Sequence, residues 1–225
     1  LNSRQYSLTR QEAEGGSGRP GHYMKGPEGK GKGATEPIAP IRQSRTDDFI
    51  HKYMARESAT EALRNPIEVQ RKAEDVVKFG GVAFGYGQVA LSDEELIDAS
   101  NDIQRCFDEG KTVLKTVISF DEDYLRENDI IDSNFVFQKA GDYRGHIDQL
   151  KLRRAIMSGL ERMGRSYDDL QYIGVIQVDT GHVHCHLAMV DKGVGKLVDN
   201  GEQKGKITQR AMNQFRRGVD LELDN

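Results

Sequence analysis

Residues 171–191, "QYIGVIQVDTGHVHCHLAMVD", constrain the fold more than any other stretch of the chain. Two apolar, β-branched runs flank a short polar segment at 179–181, which reads as two strands joined by a turn or as one long bent strand. Either reading commits these residues to a sheet. Side chains alternate faces along a strand, so His182, His184 and His186 project to one side while Val183 and Cys185 point to the other, into a core. Three of the chain's six histidines therefore share one face of an otherwise apolar strand. Burying several polar rings to no purpose is costly, so the pattern points to a site rather than to packing.

The remaining segments fill in an α+β order. Residues 1–43 are rich in Gly, Ser, Pro, Lys and Glu, with few apolar residues and no period, and are expected to form a flexible leader. Within it, "GPEGKGKGAT" falls short of a phosphate-binding loop, because Gly33 follows Lys32 where a Ser or Thr is required. Helical spacing begins at Thr46 and carries Phe49, Ile50, Tyr53 and Met54; a weaker helical stretch covers 67–78, and glycines after it suggest a turn beside a short strand. Ser92 stands three residues before Glu95, a capping box that opens a helix stopped at Gly110. Residues 111–120 alternate as a strand, and 121–128 read as a loop or short helix. Leu152, Ile156, Leu160 and Met163 mark an amphipathic helix over 146–164, and a last helix runs from Thr208 through Arg217. No βαβ unit carries a nucleotide fingerprint, so the order favours a largely antiparallel sheet with helices over a doubly wound fold. With 225 residues, one main domain over 44–225 is expected.

Composition narrows the partners less than local clustering does. The formal net charge is −4, so any attraction to phosphates must come from clusters such as Lys139, Arg144, Lys151, Arg153 and Arg154. Cys106 and Cys185 are the only cysteines and form no CxxC pair, which argues against a disulfide framework or a thiolate zinc site. No apolar run approaches the ~20 residues that cross a bilayer, and a cytoplasmic protein is expected. The chain opens on Leu1 rather than Met, so a parent protein continuing past Asn225 is expected too.

Neutral imidazole is a common ligand for divalent transition metals. Alternate strand residues lie ~6.6 Å apart, so two successive histidines converge on one ion readily, whereas His182 and His186 start ~13 Å apart. Two ligands are therefore safer than three, with Gln177, Asp179 or His146 as candidates for a further group. Asp179 could instead orient an imidazole from behind.

Together, "VIQVDTGHVHCHLAMVD" and "DFIHKYMARESATEAL" resemble the metal-binding and tyrosine motifs of conjugative relaxases, the mobilisation proteins of the HUH endonuclease superfamily. The likeness covers about residues 46–217. It implies a five-stranded antiparallel sheet flanked by helices, with the histidines on a central strand facing a cleft. It also implies that Tyr53 is a nucleophile attacking a DNA phosphodiester at a transfer origin to give a 5′-phosphotyrosine link, with Arg56 and Asp179 assisting. His182, His184 and His186 would hold Mn²⁺ or Mg²⁺, with Zn²⁺ also suited to imidazole. The implied partners are origin-of-transfer single-stranded DNA, accessory DNA-processing proteins and type IV secretion coupling proteins of a bacterium. One departure stands out: many relaxases carry a third histidine seven residues before the paired motif, and that slot holds Gln177 here.

Two alternatives remain at this point. "HVHCHLA" also matches the motif of histidine-triad nucleotide hydrolases and transferases, in which a histidine attacks the phosphate without a metal. A non-enzymatic metal- or DNA-binding module is the other, and it would give no covalent DNA product.

Overall fold

The computed structural model describes residues 6–13, 49–55, 60–61, 81–194 and 207–225, with residues 6–13, 49, 52 and 53 described by backbone alone. Strands β1 (Tyr6–Ala13), β2 (Ala83–Gly85), β3 (Val113–Phe120), β4 (Leu170–Gln177) and β5 (Val183–Asp191) pair antiparallel throughout, in the order β1-β3-β5-β4-β2. The α+β class and the helix-flanked antiparallel sheet expected from the sequence are present. The stretch 171–191 is two strands with a turn between them, not one bent strand. Their register sets Gln177 opposite His184 and Val175 opposite His186, and on the other flank β3 sets Ser119 opposite His184 and Val117 opposite His186. The histidine strand thus has a hydrogen-bonded neighbour on each side.

Helices α1 (Asp93–Asp108), α2 (Glu122–Glu127), α3 (Gln149–Gly164) and α4 (Gln209–Leu223) cover the sheet. Each long helix starts on a side-chain cap. The Ser92 hydroxyl accepts from Glu95 N at 3.0 Å while Glu95 Oε2 accepts from Ser92 N at 2.8 Å. The Asp148 carboxylate accepts from Lys151 N at 3.0 Å, and Thr208 Oγ1 accepts from Ala211 N at 3.1 Å. Such caps satisfy amide donors that the first helical turn leaves open.

The alternation of β5 sorts two cores. Val183, Cys185, Leu187 and Met189 pack with Leu152, Ile156, Leu160 and Met163 of α3 and with Ala211, Phe215 and Val219 of α4. Ala188 and Val190 face the other way, with Leu96, Ala99 and Ile103 of α1 and with Ile50 and Met54. His184 and His186 share the parity of Ala188 and Val190, so they belong to the α1 face. On the opposite face α3 and α4 cross in near-backbone contact: a Cβ on Gly218 would lie 2.5 Å from Ser158 O, and one on Gly159 would lie 2.8 Å from Phe215 O.

Three expectations need correction. Tyr6–Ala13, assigned to the flexible leader, is a strand along the full length of β3; the stretch "YSLTRQEA" alternates Tyr6 and Leu8 with Ser7 and Thr9, a strand signal masked by the glycine-rich segment after it. The segment after Thr46 forms a six-residue π-helix, Phe49–Met54, in which Ala55 N donates to Ile50 O at 2.9 Å, five residues back. The last helix runs six residues beyond Arg217, because Val219 continues the buried stripe of Ala211 and Phe215 at four-residue spacing. The 67–78 helix and the phosphate-loop near miss lie outside the described residues.

Candidate active site

The two central histidines differ in their surroundings. His186 is buried at 5% exposure, whereas His184 is half-buried and His182, just before β5 begins, is exposed. Ring centroids of His182 and His184 are 6.1 Å apart, and those of His184 and His186 are 6.4 Å apart with planes at 86°. Among the described residues no group of three His, Cys, Asp or Glu side chains is gathered closely enough to hold an ion. His184 stands between the other two rings, and strand spacing keeps His182 and His186 apart. His184 neighbours both His186 and His182, and paired imidazole donors are chemically suited to a divalent ion.

The turn before β5 conditions this pair. Thr180 Oγ1 donates to His182 O at 2.8 Å and lies 3.5 Å from His184 Nδ1. Burial and the neighbouring His182 push the His184 imidazole below its usual range, and the carboxylate of Asp179 pulls the other way. Asp179 thus acts electrostatically on His184.

Gln177, weighed in the sequence as a substitute ligand, is 2% exposed, and its Nε2 donates to the backbone carbonyl of Met54 at 2.9 Å. Its backbone also bridges Thr60. Tyr53 lies in the π-helix one residue before that carbonyl; its side chain, and all of Arg56, lie outside the described residues. Glu61 Oε2 accepts from Gly145 N at 3.0 Å, which ties the same segment to the loop over 129–148.

That loop stands at the histidine end of the sheet. The Tyr143 hydroxyl donates to Glu122 Oε2 at 3.1 Å and lies 3.5 Å from Gly181 O, and the Tyr143 ring stacks on Phe137 at 4.9 Å. His146, the other candidate ligand, instead meets Asp132 Oδ2 at 3.1 Å and packs on Phe135. Lys139 and Arg144 are exposed on this loop, and half-buried Lys151 follows in the first turn of α3.

The two remaining members of the expected basic track do not fit it. Arg153 is 0% exposed, and its guanidinium donates to Val89 O at 3.0 Å, Val82 O at 3.3 Å and Gln149 Oε1 at 3.3 Å. Its buried fork joins the chain around β2 to α3 and cannot reach a phosphate. Arg154 lines a groove on the α3 side with Glu161, Asp168, Asp169 and Glu222, a setting that repels a polyanion.

Sequence reasoning missed Lys115, which is 4% exposed and shares the α1 face between Val113 and Val117, diagonal to His186 across the β3–β5 pair. Burial pushes its amine down to about 8. A cation inside the apolar alternation of 113–117 was the signal available.

The family model of the MobL relaxases matches residues 22–220. The chain belongs to the MobL relaxases. Membership makes it a DNA-nicking enzyme of mobilisation that acts on origin-of-transfer DNA, and it removes the histidine-triad and non-enzymatic alternatives. No curated protein and no solved structure matches the chain. Among the described residues, no helix of this relaxase is long and apolar enough to cross a membrane.

Proposed function

We propose that this relaxase nicks one DNA strand by transesterification through Tyr53, in an HUH-type site whose central strand presents His184 and His186 to a divalent ion. The phenolic oxygen forms a bond to phosphorus as the bond from phosphorus to the 3′ oxygen breaks. The phenol loses its proton, the leaving oxygen ends as a 3′-hydroxyl, and the protein stays joined to the 5′ end. The phosphodiester energy is retained in that link, so a strand can later be rejoined, which direct hydrolysis would not allow.

The supporting observation is the contact of Gln177 with Met54 O at 2.9 Å, since Gln177 is the register partner of His184 and Met54 follows Tyr53 in the chain. The two motifs, more than a hundred residues apart in sequence, thereby meet at one end of β4 and β5. A bound Mn²⁺ or Mg²⁺, or Zn²⁺ in its place, would polarise a phosphate oxygen and stabilise the charge that builds on it. The chain's own groups do the rest. His184 and His186 hold the ion, with His182 exposed beside them for the substrate side. Asp179 steadies His184, Arg56 binds a phosphate next to Tyr53, and Lys139, Arg144 and Lys151 line the path of the single strand. Accessory DNA-processing and secretion-coupling proteins would complete transfer.

The test incubates the protein with Mn²⁺ and a single-stranded oligonucleotide carrying the transfer origin of its own element, then resolves covalent adducts on a denaturing gel. Wild type is expected to give a slower-migrating species. Tyr53→Phe should abolish it and still bind Mn²⁺, whereas His184→Ala and His186→Ala should lose both. An adduct that persists in Tyr53→Phe would place the nucleophile elsewhere.

A further inference from the structure

Gln177 occupies the slot that many relaxases fill with a third histidine, and an amide oxygen there could in principle serve a metal. The geometry points elsewhere, and we propose that Gln177 is a positioning residue that clips the Tyr53-bearing π-helix to the histidine strand, and is not a metal ligand. The role assigned to Tyr53 rests on the function proposed above; the clip itself does not.

Four observations carry the inference. Gln177 is 2% exposed, and its amide nitrogen is spent on Met54 O at 2.9 Å. Its backbone bridges Thr60, so one residue of β4 engages the chain on both sides of residues 56–59. The segment it holds is a six-residue π-helix, a rare form that recurs at functional sites. Ile50 and Met54 supply apolar contacts against Ile173, Val175 and Ala188, but apolar packing is non-directional and leaves rotation and sliding open. A directional bond from a buried amide to one carbonyl fixes both. A histidine at this slot, by contrast, would direct its free ring nitrogen to an ion.

Hydrogen exchange and manganese binding separate the two roles. Gln177→Met keeps the length of the side chain and removes its donor; Gln177→Glu replaces the donor with a better metal-binding oxygen. The full chain is used, with Mn²⁺ alone as probe, and exchange at β5 amides reports that each variant is folded. If Gln177 is the clip, amides of residues 50–55 should exchange at least tenfold faster in both variants, with Mn²⁺ affinity within twofold of wild type. If it is a ligand, Gln177→Met should lose tenfold or more in Mn²⁺ affinity, Gln177→Glu should bind at least as well as wild type, and exchange at 50–55 should not move. That pattern, or unchanged exchange in both variants, overturns the proposal. Should wild type itself bind no Mn²⁺, the metal reading of the site fails, and the exchange result alone still decides the clip.

Discussion

Lys115 shows what a single residue on the histidine face costs the fold. Its ammonium is held at 4% exposure, and burial lowers its proton affinity so that the folded chain releases the proton near pH 8, against an ordinary value of 10.5. Between those values the unfolded state holds the extra proton, so stability rises with pH across that window; below about pH 8 both states are charged and the full penalty is present. Lys115→Met should therefore be more stable than wild type at pH 7 by as much as about 3 kcal/mol, from a shift of roughly two and a half pH units at 1.36 kcal/mol each. The difference should shrink towards zero by pH 10.5, as read by urea unfolding of both proteins at several pH values. Arg153 is just as hidden, and its guanidinium meets three oxygen acceptors, so it is a structural brace where the sequence suggested a DNA contact.

At the scale of elements, the crossing of α3 with α4 depends on two missing side chains. A Cβ on Gly218 would meet Ser158 O at 2.5 Å and Gly159 Cα at 2.7 Å, backbone atoms that cannot swing aside. Gly218→Ala should push the helices apart and destabilise the protein by about 3 kcal/mol, the upper end of the ~1–3 kcal/mol usual for overpacking, with a lowered urea midpoint as the measure. His184 and His186 should be little affected, since they lie on the other face of the sheet. The elements themselves were largely legible in the sequence. Ser92 with Glu95, the α3 stripe from Leu152 to Met163 and the paired runs of 171–191 all announce themselves through local periodicity and capping. Local patterns could not report long-range facts. That Arg153 is turned inwards depends on carbonyls 64 and 71 residues away, and the amide of Gln177 finds its acceptor 123 residues upstream. The histidine pattern pointed to the candidate site, but only the pairing of β5 with β4 shows that Gln177 lies opposite His184.

The whole molecule has two unlike sides. One face of the sheet carries the histidines, Lys115 and the π-helix, and the other is closed by α3 and α4, with the loop over 129–148 standing at the histidine end. With a net charge of −4, affinity for a nucleic acid has to come from the few cations that the strand can reach. Removing both Lys139 and Arg144 by alanine substitution should flatten the dependence of log affinity on log salt by about 1.4, at ~0.7 for each phosphate contact to a single strand. Arg154→Ala should leave that slope unchanged; fluorescence anisotropy over a salt series makes the comparison. The outermost strand of the sheet has its own consequence. Tyr6–Ala13 occupies the flank of β3 that faces away from the histidine strand, along all eight residues. Trimming the leader to obtain a tidier protein would strip that flank to bare amides and carbonyls, and such an unguarded border invites a second molecule to stick to it.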